Sequence, residues 1–557
     1  MKKNRLVLIV MVMVLISING CKKVETEPLE RLTVDYIFDE GDRNAVYADL
    51  FLNNIYSYLP DGFNRVGGNL LDAGTDDALP TRNASTVEYF VNGRLTPANN
   101  PDAAWGDCYA GIRRVNIFLK NIDIVPADAQ RKQYWRAEAR FIRAMLYFEM
   151  LKRYGGIPLI GDKIFGLNDK IDVSRNTFAE CVSYIVSECE DIKGKLQVEP
   201  VVDTDLGRMT RGCALALKSR LLLYAASPLF NGGGFETDPA KKALTGYLDY
   251  KESRWQDALN AAEELIGKYA LEANFIDVFI KRKNNEVIMA KQRVKTFDVE
   301  SNNAPVGFIE SGAVSKGLTS PTQELADAYT NDSGVPVPNS HLLANPYAAR
   351  DSRFALTFFF NGSDWLKRKV QSYEGGLDKP NTPGSEQTRT GYYMRKFMAN
   401  FATNTTYTNQ DHNFIIFRYA EVLLNYAEAL NELNRTEDAV NQIKLLRIRA
   451  KIKAGTGNRY GIKAGISQTE MRALIQNERR VELAFEEHRF WDIRRWKIAQ
   501  QVLNGKLHGM KATLNGSTVT YEPFEAATVV FAPRMYHIPL PYGETTKNTN
   551  LVQNEGW

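Results

Sequence analysis

The sequence predicts a mostly α fold, with tetratricopeptide-like helical pairs packed against an irregular, loop-rich lobe. Three observations predict it. Stretches free of Gly and Pro, with apolar residues at spacings of three, four and seven, recur towards both ends of the chain. Two of these stretches carry small residues where one helix would meet the next: Ala258 and Ala262, beside Trp255, in the first, and Ala427, Ala429 and Ala439, beside Val440, in the second. Between them, residues 275–410 lose the helical period and fill with Gly, Pro, Asn and Thr.

The chain begins with Lys2, Lys3 and Arg5, an apolar run from Leu6 to Ile18, and then Asn19-Gly20-Cys21. A charged start, a short apolar core and small residues before a cut make a secretory signal over residues 1–20. The run is too short for a comfortable transmembrane helix. Cys21 directly after Ile18-Asn19-Gly20 has the form of a lipobox, which makes it the lipidated first residue of the mature chain; an ordinary secreted cysteine is the alternative. No other apolar run is long enough to span a bilayer, so acyl chains on Cys21 would be the membrane attachment. Residues 21–42 are polar and acidic and read as a tether.

Residues 43–274 form an N-terminal helical region with binding loops. Val46, Leu50, Ile55 and Leu59 suit a first amphipathic helix over 44–59, ended by Pro60-Asp61-Gly62. Residues 61–102 are rich in Gly, Asn, Asp, Thr and Pro and read as long loops. Helices follow at 105–122, at 127–154 up to Gly155-Gly156-Ile157-Pro158, at about 176–196, at 211–226 and at 254–269. The lobe at 275–410 contains strand-like runs at Val287–Met289 and Leu356–Phe360. Residues 411–557 return to helices at 414–434, at 436–450 and from Gln468 onward, then run extended and Pro-punctuated from 505 to the end. Within this part, Asn477–Lys497 contains no Gly or Pro and reads as one helix. Glu486, Arg489, Asp492 and Arg495 lie three apart with alternating sign, which predicts a salt-bridged ladder beside an apolar stripe. His488, alone among acids and arginines, reads as a packed or hydrogen-bonded residue.

Composition excludes little. The 557 residues carry a net charge of +4, which falls to +1 when the three leader cations are removed, so there is no electrostatic case for nucleic acid. Tyr (26) nearly equals Phe (27), which suits a surface that meets sugars or peptides and equally suits a large helical core. Cys108, Cys181, Cys189 and Cys213 show no CxxC spacing and read as free or buried. There is no phosphate-binding loop, no GxSxG and no HExxH, and the five histidines are scattered.

Asp72, Asp76 and Asp77 form the densest acidic cluster on a predicted loop. Such a loop could supply the carboxylate pair of a glycoside hydrolase or the oxygens of a structural calcium site; a solvated loop is the plain alternative. Sugar binding asks instead for exposed aromatic faces with Asp, Asn or Arg beside them. The first loop offers Asp76, Asp77, Arg82, Tyr89, Phe90 and Asn92; the lobe offers Phe297, Phe308, Trp365 and Tyr373.

The Asn477–Lys497 stretch resembles the C-terminal signature of the SusD/RagB family, the glycan- and nutrient-binding outer-membrane lipoproteins of Bacteroidetes. Tyr154-Gly155-Gly156-Ile157-Pro158-Leu159, Pro321–Tyr329, Arg350–Phe354, Gly391–Phe397 and the tail Ile538-Pro539-Leu540-Pro541 resemble the same family, so the likeness covers nearly all of the mature chain. The resemblance implies a surface lipoprotein without catalytic residues or cofactor. It also implies a lid on a TonB-dependent transporter of the SusC kind, passing to it an oligosaccharide or, in some members, a peptide. It does not carry ligand residues over one by one. A secreted glycoside hydrolase using Asp72, Asp76 and Asp77, a peptide-binding lid and a protein-binding tetratricopeptide scaffold are the competing readings.

Overall fold

The computed structural model describes residues 34–166, 168–199, 201–308, 315–337 and 345–557. The leader, Cys21 and most of the tether lie outside the described residues.

Helix α1 (Val46–Ile55) buries Ala48, Phe51, Leu52 and Ile55. Helices α2 (Trp105–Asn121) and α3 (Ala129–Tyr154) pack on it and on each other. Asp128 caps α3, accepting from the Arg131 N–H at 2.8 Å. The helix stops at Gly155, whose φ of 77° and close approach to the Leu244 carbonyl leave no room for a side chain. Helix α4 (Phe178–Lys193) starts with a capping box between Thr177 and Glu180. Helix α5 (Arg211–Ala226) is buried almost all round, as expected of an element with neighbours on every side.

Helix α6 (Ser253–Glu263) packs on α5, and α7 (Tyr419–Glu432) packs on α6 across the inserted lobe. Helix α8 (Thr436–Arg449) folds back on α7 after a turn in which Asn434 takes a φ of 61°. The small residues Ala258, Ala262, Ala427, Ala429 and Ala439 are all buried at these contacts, so helix pairs close together as the repeat-like pattern predicts. Helix α9 (Gln468–Glu482) packs against both α7 and α8.

The lobe is held by short strands instead of a large sheet. Strand β1 (Ala78–Pro80), from the first loop, pairs antiparallel with β3 (Thr319–Pro321); β2 (Val287–Lys291) pairs with β6 (Phe414–Arg418); β4 (Phe358–Phe359) pairs with β5 (Tyr393–Met394). The remaining core of the lobe is aromatic: Tyr329, Phe354 and Phe358 pack edge and face within 6 Å of one another, and Tyr392 meets Phe358 edge-on at 5.6 Å.

Three expectations are corrected. Residues 414–418 are the strand β6, not the start of a helix, because Val287–Lys291 lies beside them and takes their backbone hydrogen bonds. Asn477–Lys497 is not one helix. It breaks after Glu482 and restarts as α10 (His488–Arg495), with Phe485 and Glu487 at φ of 65° and 62°. The break is held from outside: the Asp72 carboxylate accepts the Phe485 and Glu487 N–H groups at 3.2 and 3.3 Å. The tail folds back as a long hairpin, β7 (Gly505–Asn515) with β8 (Thr518–Val529), turning at Gly516 and bulged near Ala526. Asn515-Gly516 is the local signal for that turn.

The charge ladder is also rearranged. Only Asp492 and Arg495 pair along the helix, at 2.7 Å. Glu486 instead bonds Arg418 and Lys396, and Arg489 bonds Asp76. All four are buried, so these ion pairs join distant segments and do not line a wet edge. Arg418 alone meets Glu286, Glu482 and Glu486, each at 2.7 Å. His488 is buried, its Nδ1 accepting from Arg479 at 3.1 Å. Burial first, and then the surrounding arginines, hold its pKa well below the usual range, so it is neutral. The four described cysteines are free and buried, as the spacing predicts.

Candidate functional site

The pairing of β1 with β3 pins the first loop to the inserted lobe. Beyond β1 the loop crosses the surface and makes a short 3-10 turn at Thr86–Phe90. That turn sends Phe90 inward, edge-on to Phe490 at 4.8 Å, and leaves Tyr89 half-buried at the rim. Gly93, at φ 76°, reverses the chain and brings the Arg94 guanidinium over the Tyr89 ring at 4.9 Å. Asn92 is half-buried beside it; its Oδ1 accepts the Arg94 N–H at 3.1 Å. The Val530 N–H donates to the Val91 carbonyl at 2.7 Å, joining this loop to the end of the hairpin.

The lobe closes on the loop through charge. Arg82 pairs with Glu386 at 2.6 Å, both half-exposed, and Arg389 pairs with Glu88 at 2.6 Å. Tyr373 is half-buried, its hydroxyl donating to the Gln371 Oε1 at 3.1 Å, and its backbone runs beside Ala512 of the hairpin. Of the ten candidate positions, therefore, Arg82, Tyr89, Asn92 and Tyr373 reach solvent where loop, lobe and hairpin meet. A tyrosine ring flanked by an amide and a guanidinium has the donor set that a pyranose requires: apolar CH against the ring and hydroxyls to the polar neighbours.

The other six, Phe90 among them, lie inside or serve packing. Trp365 is fully buried, its indole N–H donating to the Tyr407 hydroxyl at 3.0 Å. Phe297 leans on the same Tyr407 ring. Phe308 is buried under the Arg368 guanidinium at 3.5 Å. A lobe held by strands of two to five residues needs these rings for its own core.

Asp76 and Asp77 are corrected in the same way. Both are buried, as is Asp72, so the loop is not solvated. Asp76 receives Arg489 at 2.7 Å and Arg480 at 2.9 Å, and Asp77 receives Arg480 at 2.6 Å. Burial pushes the Asp76 carboxyl up, but Arg480 and Arg489 overcome it and hold it at about 2. Burial leads in raising Asp77 and Asp72. These oxygens face arginines and backbone N–H groups of α9, α10 and the turn between them. The geometry gives neither a carboxylate pair facing a cleft nor a loop of free oxygens for calcium.

Sequence reasoning missed Arg94 and the Glu88–Arg389 and Arg82–Glu386 closures. Gly93 between Asn92 and Arg94 is the signal that the chain turns back there. Nothing local announces partners about 300 residues away.

A stacked-helix scaffold packed against a loop-rich lobe, with a small aromatic and polar rim on the loops, is a fold of the helical-repeat class. Residues 285–557 match the model of the SusD family, and residues 69–223 match a second model, described as starch-binding and associating with the outer membrane. The chain belongs to the SusD family. A SusD-like protein of Formosa agariphila is 25% identical, covering 100% of this chain and 99% of its own. A SusD-like protein of Bacteroides ovatus is 24% identical over 84% of this chain and 83% of its own. Among solved structures, a SusD-like protein from Bacteroides fragilis aligns with a TM-score of 0.79 and 25% identity, covering 95% of this chain and 100% of that one.

Proposed function

We propose that this chain is a non-catalytic cell-surface lipoprotein that captures an oligosaccharide and delivers it to a TonB-dependent transporter of the SusC kind. The observation that carries the binding role is the rim itself. Tyr89, Asn92 and Arg94 are presented to solvent, while the acids of the same loop are turned inward onto arginines. Binding chemistry is thus offered at the surface, and the carboxylates that hydrolysis would need are engaged in holding the fold. Family membership supports the same reading. Fold neighbours include a laminarin-binding SusD-like protein and a surface glycan-binding protein from Bacteroides uniformis, at TM-scores of 0.61 and 0.64. The lipobox at Cys21 supports anchoring at the outer membrane.

Isothermal titration of the leaderless chain against neutral β-glucan and starch oligosaccharides, with peptides as controls, tests the reading. A neutral oligosaccharide should bind, and Tyr89→Ala should weaken it about tenfold, the loss of roughly 1.4 kcal/mol of stacking and hydrogen bonding. Release of new reducing ends during the titration would overthrow it. A Cys21→Ala chain recovered from the outer membrane as efficiently as wild type would overthrow the anchor.

A further inference from the structure

A second opening shares no lining residue with the rim. It is a groove of about 660 Å³ between α2, loop residues 158–166 and 170–173, and the C-terminal segment 544–551. That volume falls within the roughly 300–1,000 Å³ of ligand sites. One wall is apolar and aromatic, formed by Tyr109, Ile160, Phe165 and Ile171 over a floor of Trp105. The Tyr109 hydroxyl donates to the Pro158 carbonyl at 2.8 Å, which fixes the ring as a wall.

The cations in this groove are not balanced. Lys170 is answered by Asp172 at 3.0 Å and Lys547 by Glu544 at 3.7 Å. Arg113 and Lys163 have no carboxylate within ion-pair distance among the described residues, yet both are fixed in place at Phe165. The Arg113 guanidinium donates to the Phe165 carbonyl, and the Lys163 ammonium stands 4.3 Å from the centre of its ring. The neighbouring acids are occupied: Asp162 bonds Arg143 at 2.5 Å, and Asp169 accepts the Gly166 N–H at 2.8 Å. The loop is also tied down from beneath, where the buried Asn116 amide donates to the Gly161 and Lys163 carbonyls at 2.8 and 2.9 Å. Two uncompensated positive groups are thus held beside an aromatic wall before any ligand arrives.

We propose that this groove is a second binding site and that it takes an acidic oligosaccharide, a sugar chain bearing carboxylate or sulfate groups. Rings supply the stacking surface for a pyranose, and Arg113 and Lys163 supply charge-assisted hydrogen bonds to its anionic substituent. An extended peptide is the poorer fit. Helix α2, irregular loops and the short helix Tyr542–Lys547 form the walls, so no open strand edge is there to pair with a peptide backbone. The site is independent of the rim and stands whether or not the rim binds sugar.

Isothermal titration with a trigalacturonate, a sulfated chondroitin disaccharide and a neutral laminaritriose, on wild type and on Arg113→Ala/Lys163→Ala, decides it. At least one acidic probe should bind wild type at least tenfold more tightly than laminaritriose binds the groove. The double variant should lose that binding by tenfold or more, and Tyr89→Ala should leave it unchanged. Affinity for the acidic probe should fall as salt rises. Both cations are exposed, so the double variant should keep the wild-type circular dichroism and melting curve. If it does not, Phe165→Ala is measured in its place, with the same loss expected. The proposal fails if neither acidic probe binds, if the folded double variant binds as wild type does, or if only Tyr89→Ala removes the binding.

Discussion

Single side chains in this molecule do work that their type does not announce. Asp76 is a loop acid in the sequence and a buried anchor in the fold, where it receives Arg480 and Arg489. Removing its charge leaves the buried Arg489 guanidinium facing a neutral amide and takes from the partly buried Arg480 one of its two carboxylates. Asp76→Asn should therefore lower stability by about 3 kcal/mol or more in urea unfolding, with glycan affinity of the folded fraction unchanged. A hydrolase reading of the same residue predicts the opposite pattern, intact stability and lost turnover. Glu138 on α3 is fully buried against the Tyr56 hydroxyl, with Arg208 at 3.4 Å. Burial raises its carboxyl from 4.5 to about 7, against the opposing pull of Arg208, Tyr56, Tyr134 and the Met209 N–H. Between those two pH values the native state holds a proton that the unfolded chain has released. The stabilising contribution is complete below about pH 4.5 and is lost as pH rises through about 7, so stability falls across that window. The gap corresponds to roughly 3 kcal/mol. Urea unfolding at pH 5 and pH 7.5 should show this decline in wild type and a flatter profile in Glu138→Gln.

At the scale of elements, most helices were legible because their information is local. Apolar spacing, the Thr177 and Ser467 capping boxes and the Gly155 stop all lie within a few residues of the features they control. Ser467→Ala should cost about 1 kcal/mol in thermal or urea unfolding. The hairpin β7–β8 is different, because its position depends on the lobe. The Met510 N–H donates to the Thr390 carbonyl at 2.8 Å, and Gly391, at φ 88°, would place a Cβ 2.0 Å from the Met510 carbonyl oxygen. Gly391→Ala adds both strain and a clash at this seat. Hydrogen exchange across 505–529 should speed up, while exchange in α3 and α5 stays slow. The strand β6 and the break at Phe485–Glu487 were not legible. A Pro-free, Gly-free run looks helical until Val287–Lys291 offers a strand partner, or until Asp72 captures two N–H groups and halts the helix.

Across the whole molecule, helix pairs form a frame, buried arginines stitch distant segments to it, and the rim and the groove are the two surfaces proposed for ligands. The loop that carries the rim runs on to Pro97, whose carbonyl accepts the Tyr542 N–H at 3.0 Å, two residues before the groove's C-terminal wall begins. A neutral and an acidic oligosaccharide should bind together without competition, which sequential titration would show as two independent isotherms. By itself the sequence determined the helices, the loop-rich lobe and the likeness to a family of glycan-binding proteins, because each rests on neighbours three or four residues away or on motifs read in line. Only the tertiary structure decided which loop side chains face water. Asp76 meets Arg489 across 413 positions of chain, Trp365 is enclosed by rings of its own lobe, and Tyr89 stays at the surface. Burial is a property of what folds over a residue, and that cover comes from segments hundreds of residues away.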